Sequence, residues 1–223
     1  MKKVILAGNA ITANILMGYL QQDSRYEVVG LTVDDEFIDK NGVSGIQSIP
    51  FSSISDKYNP QNYSIIMAMG YNDINRIREA MFNRLKEKGY RIETYVHPEA
   101  KIFTRYALGE GAVILPSAVI EPEVRIGPNS MIWANVTLAH HCSVNEHCWI
   151  ASGAVISGQA QVKRNTFIGV NATIVNDIVV DEYSIIGAGA LITKNTKASS
   201  VHLARSGEEL RYSSQDYVKF FGV

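Results

Sequence analysis

Residues 132–162 read IWANVTLAHHCSVNEHCWIASGAVISGQAQV, with an aliphatic residue at every sixth position. The same register runs through sixteen consecutive hexapeptides from Val96 onward. Starting at Leu108 and stepping by six, all fifteen residues are aliphatic: Leu108, Ile114, Ile120, Ile126, Ile132, Leu138, Val144, Ile150, Ile156, Val162, Ile168, Ile174, Val180, Ile186 and Ile192. The fifth place of each hexapeptide holds a small side chain, with Ile178 as the bulky exception. A fixed short period of this kind indicates stacked repeats.

Six residues are enough for one short strand and one turn, so the chain bends after every strand. Three such sides close a triangular coil of eighteen residues, in which residue i lies under residue i+18 at a strand spacing of about 4.8 Å. A period of six does not match the 3.6 residues of a helix. Residues 96–200 are therefore predicted to form a parallel β-helix with an aliphatic core, followed by a C-terminal extension over residues 201–223.

Before Val96 the pattern changes to strands that alternate with helices. Asn72 is a candidate cap for the second helix, and Gly89 is a candidate end. The alternation predicts a parallel sheet with helices packed on it, a Rossmann-like α/β domain over residues 1–95. The predicted strands are 4–7, 28–33, 64–69 and 91–96, and the predicted helices are 11–20 and 73–88.

Ligands of such sheets bind at the carboxyl ends of the strands. A dinucleotide fingerprint is missing after the first strand, so NAD is not expected. The acidic pair that follows the second strand is either a polar turn or a contact to the base or ribose of a nucleotide. The candidate substrate-binding residues at these strand ends are Gly8, Asn9, Asp34, Asp35, Gly70 and Tyr71.

Composition excludes several classes of partner. With 21 basic and 22 acidic residues the net charge is −1, which gives no electrostatic attraction for nucleic acid or an anionic membrane. The two cysteines form no disulfide framework. The apolar run at 4–7 is too short for a signal peptide, and no later run reaches the roughly 18 residues of a membrane span. A cytoplasmic, soluble protein is expected.

Several motifs resemble one known family across nearly the whole chain. The motifs are VDD at 33–35, MGYNDINRIRE at 69–79, YVHPEAKI at 95–102, AHHC at 139–142 and IIGAGALITKNT at 185–196. Together with the repeats, they resemble the hexapeptide-repeat sugar acetyltransferases related to sialic acid O-acetyltransferases, and most of all the N-acetyltransferases of nucleotide-linked 4-amino-4,6-dideoxy sugars.

The resemblance implies a left-handed coil, whereas parallel crossovers in general are right-handed. It also implies a UDP- or dTDP-sugar held by the first domain, acetyl-CoA held as co-substrate by the β-helix, and a homotrimer. The expected reaction is N-acetylation of the sugar's 4-amino group for surface polysaccharide or O-antigen (lipopolysaccharide) synthesis.

Acetyl transfer to an amine needs a base and a donor for the oxyanion. His140 and His141 occupy the third and fourth places of their hexapeptide, at an outer corner, and histidine suits the role of base. Counting eighteen onward from His140 reaches a glycine that leaves room for a ligand, then two polar residues. The resemblance assigns the binding of acetyl-CoA to this column and to one further residue: Gly158, Asn176, Lys194 and Ala188.

Some positions depart from the family pattern. His140 has no acidic neighbour, and Trp133 stands where the family often has asparagine. No metal is expected, because the histidines do not show the ligand pattern of a γ-class carbonic anhydrase. His147 is predicted to lie at the surface, and both cysteines in the core. O-acetylation of a sugar or sialic acid and a non-catalytic scaffold remain the alternative functions.

Overall fold

A computed structural model describes residues 1–38 and 42–222. The first part is a five-stranded parallel sheet of order β3-β2-β1-β4-β5, which confirms the predicted α/β domain. Its elements are β1 Lys2–Ala7, α1 Ile11–Leu20, β2 Tyr26–Val33, β3 Ser48–Pro50, α2 Ile54–Lys57, β4 Ser64–Met67, α3 Arg76–Glu87 and β5 Arg91–Ile92, with short 3-10 turns at Asp35–Phe37 and Phe51–Ser53.

The central strand β1 is buried on both faces, as the apolar run predicts. Val4 and Leu6 point to the face covered by α1, and Ile5 and Ala7 point to the face covered by α3. This alternation is why both faces of the sheet need a helix.

Three local predictions in this domain were wrong or incomplete. The predicted strand 91–96 is divided, since Arg91–Ile92 completes the sheet of the α/β domain as β5 and Tyr95–Val96 begins the prism. Helix α3 begins at Arg76, not at residue 73, because Asp73, Ile74 and Asn75 adopt left-handed backbone conformations with φ of 50°, 50° and 65°. Asn72 is therefore not its cap. The edge strand β3 was not predicted from the sequence. It has three residues and ends in Pro50. Proline is tolerated there because an edge strand leaves the N–H groups of one side unpaired.

The second part is a left-handed parallel β-helix with three flat faces, as predicted. The first face contains β6 Tyr95–Val96, β8 Val113–Ile114, β11 Met131–Ile132, β14 Trp149–Ile150, β17 Phe167–Ile168, β20 Ile185–Ile186 and β22 Val201–His202. The second contains β7 Lys101–Ile102, β9 Val119–Ile120, β12 Thr137–Leu138, β15 Val155–Ile156, β18 Thr173–Ile174 and β21 Leu191–Ile192. The third contains β10 Arg125–Ile126, β13 Ser143–Val144, β16 Gln161–Val162 and β19 Val179–Val180.

The predicted stacking of residue i under residue i+18 is confirmed. Ile120 pairs with Leu138, Leu138 with Ile156, and Ile156 with Ile174. Only the last turn is shorter, because Ile185 pairs with Val201, sixteen residues on. Within the prism the aliphatic positions and the small fifth-place residues form one continuous buried core, which includes both free cysteines.

The α/β domain packs on the first face of the prism. Tyr95, Met131 and Trp149 project outward from that face and are buried with Leu6 and Leu16 of the α/β domain. In a triangular prism, the corner between the second and third faces lies opposite the first face. That opposite corner, at residues 139–141 and their counterparts 157–159 and 175–177 in the next two coils, is called the His140 corner below.

Beyond the prism the chain ends in an exposed helix, α4 Ser214–Phe221, whose N-cap Ser213 accepts a hydrogen bond from the backbone of Asp216. Each helix in the described part of the chain falls short of the length and apolar character needed to cross a membrane.

Candidate active site

The two histidines lie at an outer corner, as predicted. They follow β12 on the second face and precede β13 on the third, and both side chains are exposed. His141 has a left-handed backbone with φ of 62°, which turns the chain. Hydrogen bonds fix the corner between its neighbours in the stack, since His141 N donates to Pro122 O at 3.2 Å and Gln159 N donates to His140 O at 3.0 Å.

Gly158 lies one coil beyond His140, as the count of eighteen predicts. A β-carbon on Gly158 would stand 2.6 Å from His140 Cε1 and 2.8 Å from Nε2. The imidazole therefore occupies space that any other residue would fill. Asp177 N donates to Gly158 O at 3.1 Å, which continues the stack toward the exposed Asn176. The N–H of Gly158 itself finds no acceptor within the described residues.

The remaining residues predicted to bind the cofactor divide between two corners. Lys194 is exposed and follows β21 on the second face, two residues after Ile192, which pairs with Ile174. It therefore lies on the side of the His140 corner, one coil beyond Asn176. Ala188 follows β20 on the first face and lies at the corner between the first and second faces. The structure brings Gly158 and Asn176 to the His140 corner, whereas it places Ala188 elsewhere on the prism.

The two imidazoles contact each other. His140 Nδ1 lies 3.3 Å from His141 Nδ1, and the rings meet edge to face at 81°. One of these nitrogens carries a proton and the other accepts it. When His140 Nδ1 is the donor, its Nε2 keeps a lone pair that no side chain or backbone group of the described residues uses, and His141 fixes the tautomer. This geometry suits a general base.

A carboxylate that the sequence analysis missed supports the same corner. Glu121 Oε2 accepts a hydrogen bond of 2.8 Å from His140 N. Glu121 lies one coil before Ala139, the residue that precedes His140. Counting eighteen residues back from Ala139 would therefore have identified Glu121 in the sequence. A negative charge therefore lies beside the two histidines although no acid flanks them in the sequence.

A separate pocket of about 230 Å³ opens at the carboxyl ends of β1, β2 and β4, the location predicted for a ligand of this sheet. Gly8 has φ of +130°, and a β-carbon there would stand 2.5 Å from Ala68 O, so only glycine fits. The lining residues are Gly8, Asn9, Ala10, Val33, Asp34, Phe37, Ala68, Met69, Gly70, Asn72, Ile77 and Met81.

Four of the six residues predicted to bind the nucleotide line this pocket, and two do not. Asp34 Oδ1 is paired with Arg84 Nη1 at 2.6 Å at the pocket wall. Asp35 instead accepts hydrogen bonds from the hydroxyl and backbone N–H of Ser52, which lower the pKa of its carboxyl group. Tyr71 is half exposed and packs on the first face of the prism, with its ring centroid 5.1 Å from that of Trp149 and 4.6 Å from that of Phe167.

His147 is not at the surface, so that prediction was wrong. Its side chain is buried between the domains, where Nδ1 lies 2.9 Å from Asn129 Nδ2 and Nε2 lies 3.7 Å from Glu79 Oε1. Burial lowers the pKa of His147 against the opposing effect of Glu79. Over residues 1–38 and 42–222, no three His, Cys, Asp or Glu side chains converge in a way that could hold a metal ion.

Comparisons with known proteins fit this architecture. A family model described as bacterial transferase hexapeptide (six repeats) matches residues 107–140 and 123–158. A histidine-to-asparagine variant of perosamine N-acetyltransferase from Caulobacter crescentus, solved with CoA and GDP-perosamine, is 20% identical, with a TM-score of 0.80 over 92% of this chain and 94% of that chain. WeeI from Acinetobacter baumannii AYE is 17% identical, with a TM-score of 0.80 over 90% and 96%.

The acetyltransferase domain of PglB from Neisseria gonorrhoeae FA1090, solved with acetyl coenzyme A, is 20% identical, with a TM-score of 0.55 over 94% of this chain and 99% of that chain. The chain therefore has the two-domain fold of these proteins, and its prism is built from hexapeptide repeats of the bacterial transferase type. The predicted resemblance to hexapeptide-repeat acetyltransferases is confirmed at the level of the fold.

Proposed function

We propose that this hexapeptide-repeat protein is an acetyl-CoA-dependent N-acetyltransferase of the 4-amino group of a nucleotide-linked 4-amino-4,6-dideoxy sugar. The observation that carries the proposal is the His140 corner, where a paired, exposed imidazole faces a glycine with an unused N–H. The pocket in the α/β domain provides the second requirement, a place for the nucleotide. Similar folds have been solved with CoA and GDP-perosamine and with acetyl-CoA.

The chemistry follows from these groups. The sugar amine attacks the thioester carbonyl and gives up a proton to His140 Nε2, while the proton on His140 Nδ1 is shared with His141. The carbonyl oxygen becomes an oxyanion, which the free N–H of Gly158 stabilises. The tetrahedral intermediate then expels the thiolate of CoA, which takes the proton from His140. Asn176 and Lys194 extend the exposed corner along which the pantetheine arm would lie.

The position of the corner supports a homotrimer with shared active sites. The α/β domain covers the first face, and His140 lies at the opposite corner, so the pocket and the histidine of one chain are on different sides of the same prism. A neighbouring chain has to bring its pocket to this corner for the amine to reach His140. Light scattering is expected to give the mass of three chains under assay conditions, and an active monomer would contradict this arrangement.

The same proposal divides the work along the chain. Residues 1–95 bind the nucleotide sugar and residues 96–200 bind acetyl-CoA. The extension, residues 201–223, begins with β22, which still belongs to the first face of the prism. Ala188, at another corner, remains a proposed cofactor contact. We place the reaction in the cytoplasm, where acetyl-CoA and nucleotide sugars are made, and its product in surface polysaccharide or O-antigen synthesis.

The direct test is a screen of UDP-, dTDP- and GDP-linked 4-amino-4,6-dideoxy sugars with acetyl-CoA, in which the release of free thiol is measured. Each amino sugar is matched with its 4-hydroxy counterpart. Turnover with an amino sugar and none with its hydroxy counterpart is expected. Turnover with the hydroxy sugars alone would overturn N-acetylation in favour of O-acetylation.

A further inference from the structure

Arg78 is a fully buried arginine without an acidic partner. Its Nε donates to Asn129 O at 3.2 Å, and its Nη1 donates to Met67 O at 3.3 Å and to Met69 O at 3.1 Å. No carboxylate pairs with it in the described part of the chain, where Nη2 also finds no acceptor. Burial lowers the pKa of Arg78 to about 9, so the guanidinium remains charged at neutral pH.

Packing alone does not explain this residue. A buried charge costs several kcal/mol when no opposite charge offsets it, and an apolar side chain of similar volume is often as stable or more stable at such a site. The three carbonyl groups that it binds explain the arginine better, because a rigid planar fork can reach several acceptors at once.

These carbonyl groups belong to two different bodies. Met67 and Met69 flank Ala68 at the end of β4, where Ala68, Met69 and Gly70 line the pocket of the α/β domain. Asn129 lies on the prism, at the corner between the third and first faces. Arg78 is thus bound both to the wall of the pocket and to the β-helix.

The surrounding contacts strengthen this connection. Asn129 Nδ2 bonds His147 Nδ1 at 2.9 Å, and the residue next to Arg78, Glu79, binds Arg164 Nη2 at 2.7 Å and Asn165 Nδ2 at 2.8 Å. The start of α3 is therefore held to three consecutive coils of the prism, through Asn129, His147 and Asn165.

We propose that Arg78 is a positioning residue that fixes the pocket wall, Met67–Gly70, relative to the prism. A nucleotide sugar bound in the pocket then holds its amine at a fixed distance from the prism of its own chain. Because the trimer fixes the prisms relative to one another, the amine also lies at a fixed distance from the histidine that acts on it. This inference rests on the proposed function for the identity of the ligand. The coupling of the pocket wall to the prism rests on the contacts of Arg78 alone.

The test compares Arg78→Lys and Arg78→Met with a control, Met131→Ala. Lysine keeps the charge but cannot reach the pocket wall and Asn129 O together, and methionine fills the space without donors. Met131 is buried on the first face at the same domain interface and is not part of the pocket lining. Calorimetry with UDP, dTDP and GDP, and separately with CoA, is combined with hydrogen exchange of segments 64–72 and 127–133.

Both Arg78 variants should bind the preferred nucleotide about tenfold more weakly, because the pocket wall loses the hydrogen bonds that hold it in its binding position. Their affinity for CoA should stay unchanged, which also shows that the prism is folded. Exchange should rise in both segments, and Met131→Ala should leave the affinity for nucleotide near that of the wild type.

Equal nucleotide affinity in wild type and Arg78→Lys, or an equal loss in Met131→Ala, would overturn the positioning role. A wild-type protein that binds none of the three nucleotides would count against the proposed function. In that case the exchange data still decide the coupling, because unchanged exchange in Arg78→Lys would overturn it.

Discussion

Gly158 lies directly over the imidazole of His140, so that a β-carbon at this glycine would stand 2.6 Å from Cε1 of the ring. Valine at position 158 would push the ring out of its place and cover the free N–H. Gly158→Val should therefore weaken CoA binding and lower kcat by at least about tenfold, the cost of about 1.4 kcal/mol or more, while nucleotide binding stays unchanged. Calorimetric titration with CoA and with nucleotide measures both.

The matched control is Gly207→Val, since a β-carbon there has no heavy atom within 4 Å. Unchanged CoA affinity and turnover in Gly158→Val would remove Gly158 from the site.

The stacking of Gly158 on His140 could be predicted from the sequence, whereas other contacts of this corner could not. The period of six sets which residues stack, so the burial of the aliphatic positions and the place of Gly158 over His140 were predictable by counting. Glu121 was missed because it contacts the backbone of His140 from one coil away, at an offset of nineteen. His147 was assigned to the surface because the prism pattern alone does not show which corner another domain will cover.

The lining of the pocket could be predicted from the sequence only in part. The strand ends predicted where Gly8, Asn9 and Gly70 would lie, because parallel strands bring their carboxyl ends to one edge. The two aspartates at 34 and 35 could not be told apart in the sequence. A 3-10 turn that starts at Asp35 sends its carboxylate toward Ser52 and leaves only Asp34 in the pocket.

Asp34→Ala should raise KM for the nucleotide sugar far more than it lowers kcat, because a binding residue acts on ground and transition states alike. Asp35→Ala should have a smaller effect, since its carboxylate is bound by Ser52. Steady-state kinetics with the preferred sugar give both values. Arg84→Ala is the control, because it breaks the ion pair and keeps the Asp34 carboxylate in the pocket. A KM that does not respond to Asp34→Ala would place the nucleotide elsewhere.

The histidines should differ in their effect on turnover. His140→Asn removes the base, so kcat should fall about 10²–10⁴-fold while KM for acetyl-CoA barely moves. His141→Asn should cause a smaller loss, because it removes only the partner of His140 Nδ1, and asparagine tolerates the left-handed backbone at position 141. Profiles of kcat against pH for both variants and the wild type measure this difference.

Glu121→Gln serves as a control for geometry, since its amide oxygen can still accept from His140 N without a negative charge. Full activity in His140→Asn together with an inactive His141→Asn would transfer the role of base to His141. Full activity in both variants would mean that the amine loses its proton to water.

The cysteines should be inert and should weaken the fold at high pH. Burial raises the pKa of Cys142 and of Cys148 to about 12, from 9.0. Between these two pH values the folded chain keeps the thiol protons and the unfolded chain releases them. The contribution of the two thiols to the free energy of unfolding is therefore complete below pH 9.0 and is lost as the pH rises toward 12. Urea unfolding at pH 7 and pH 10 should show the loss, which Cys142→Ala should reduce.

At pH 8 the folded protein should not react with an aromatic disulfide reagent, whereas the urea-unfolded protein should expose two thiols. Rapid reaction of either thiol in the folded protein would contradict the burial of these side chains.

Mixed trimers test whether His140 of one chain acts on a sugar held by another chain. One variant is His140→Asn, and the other is Gly70→Phe, which can fill the pocket because a β-carbon at Gly70 meets nothing closer than Thr12 Oγ1 at 3.8 Å. Each variant alone should have at most about a hundredth of the wild-type activity. Trimers co-assembled from equal amounts should recover about a quarter of the wild-type sites, those in which an intact pocket meets an intact histidine across a cyclic interface. Activity no higher than that of the separate variants would show that each chain uses its own histidine, and would contradict active sites shared between chains.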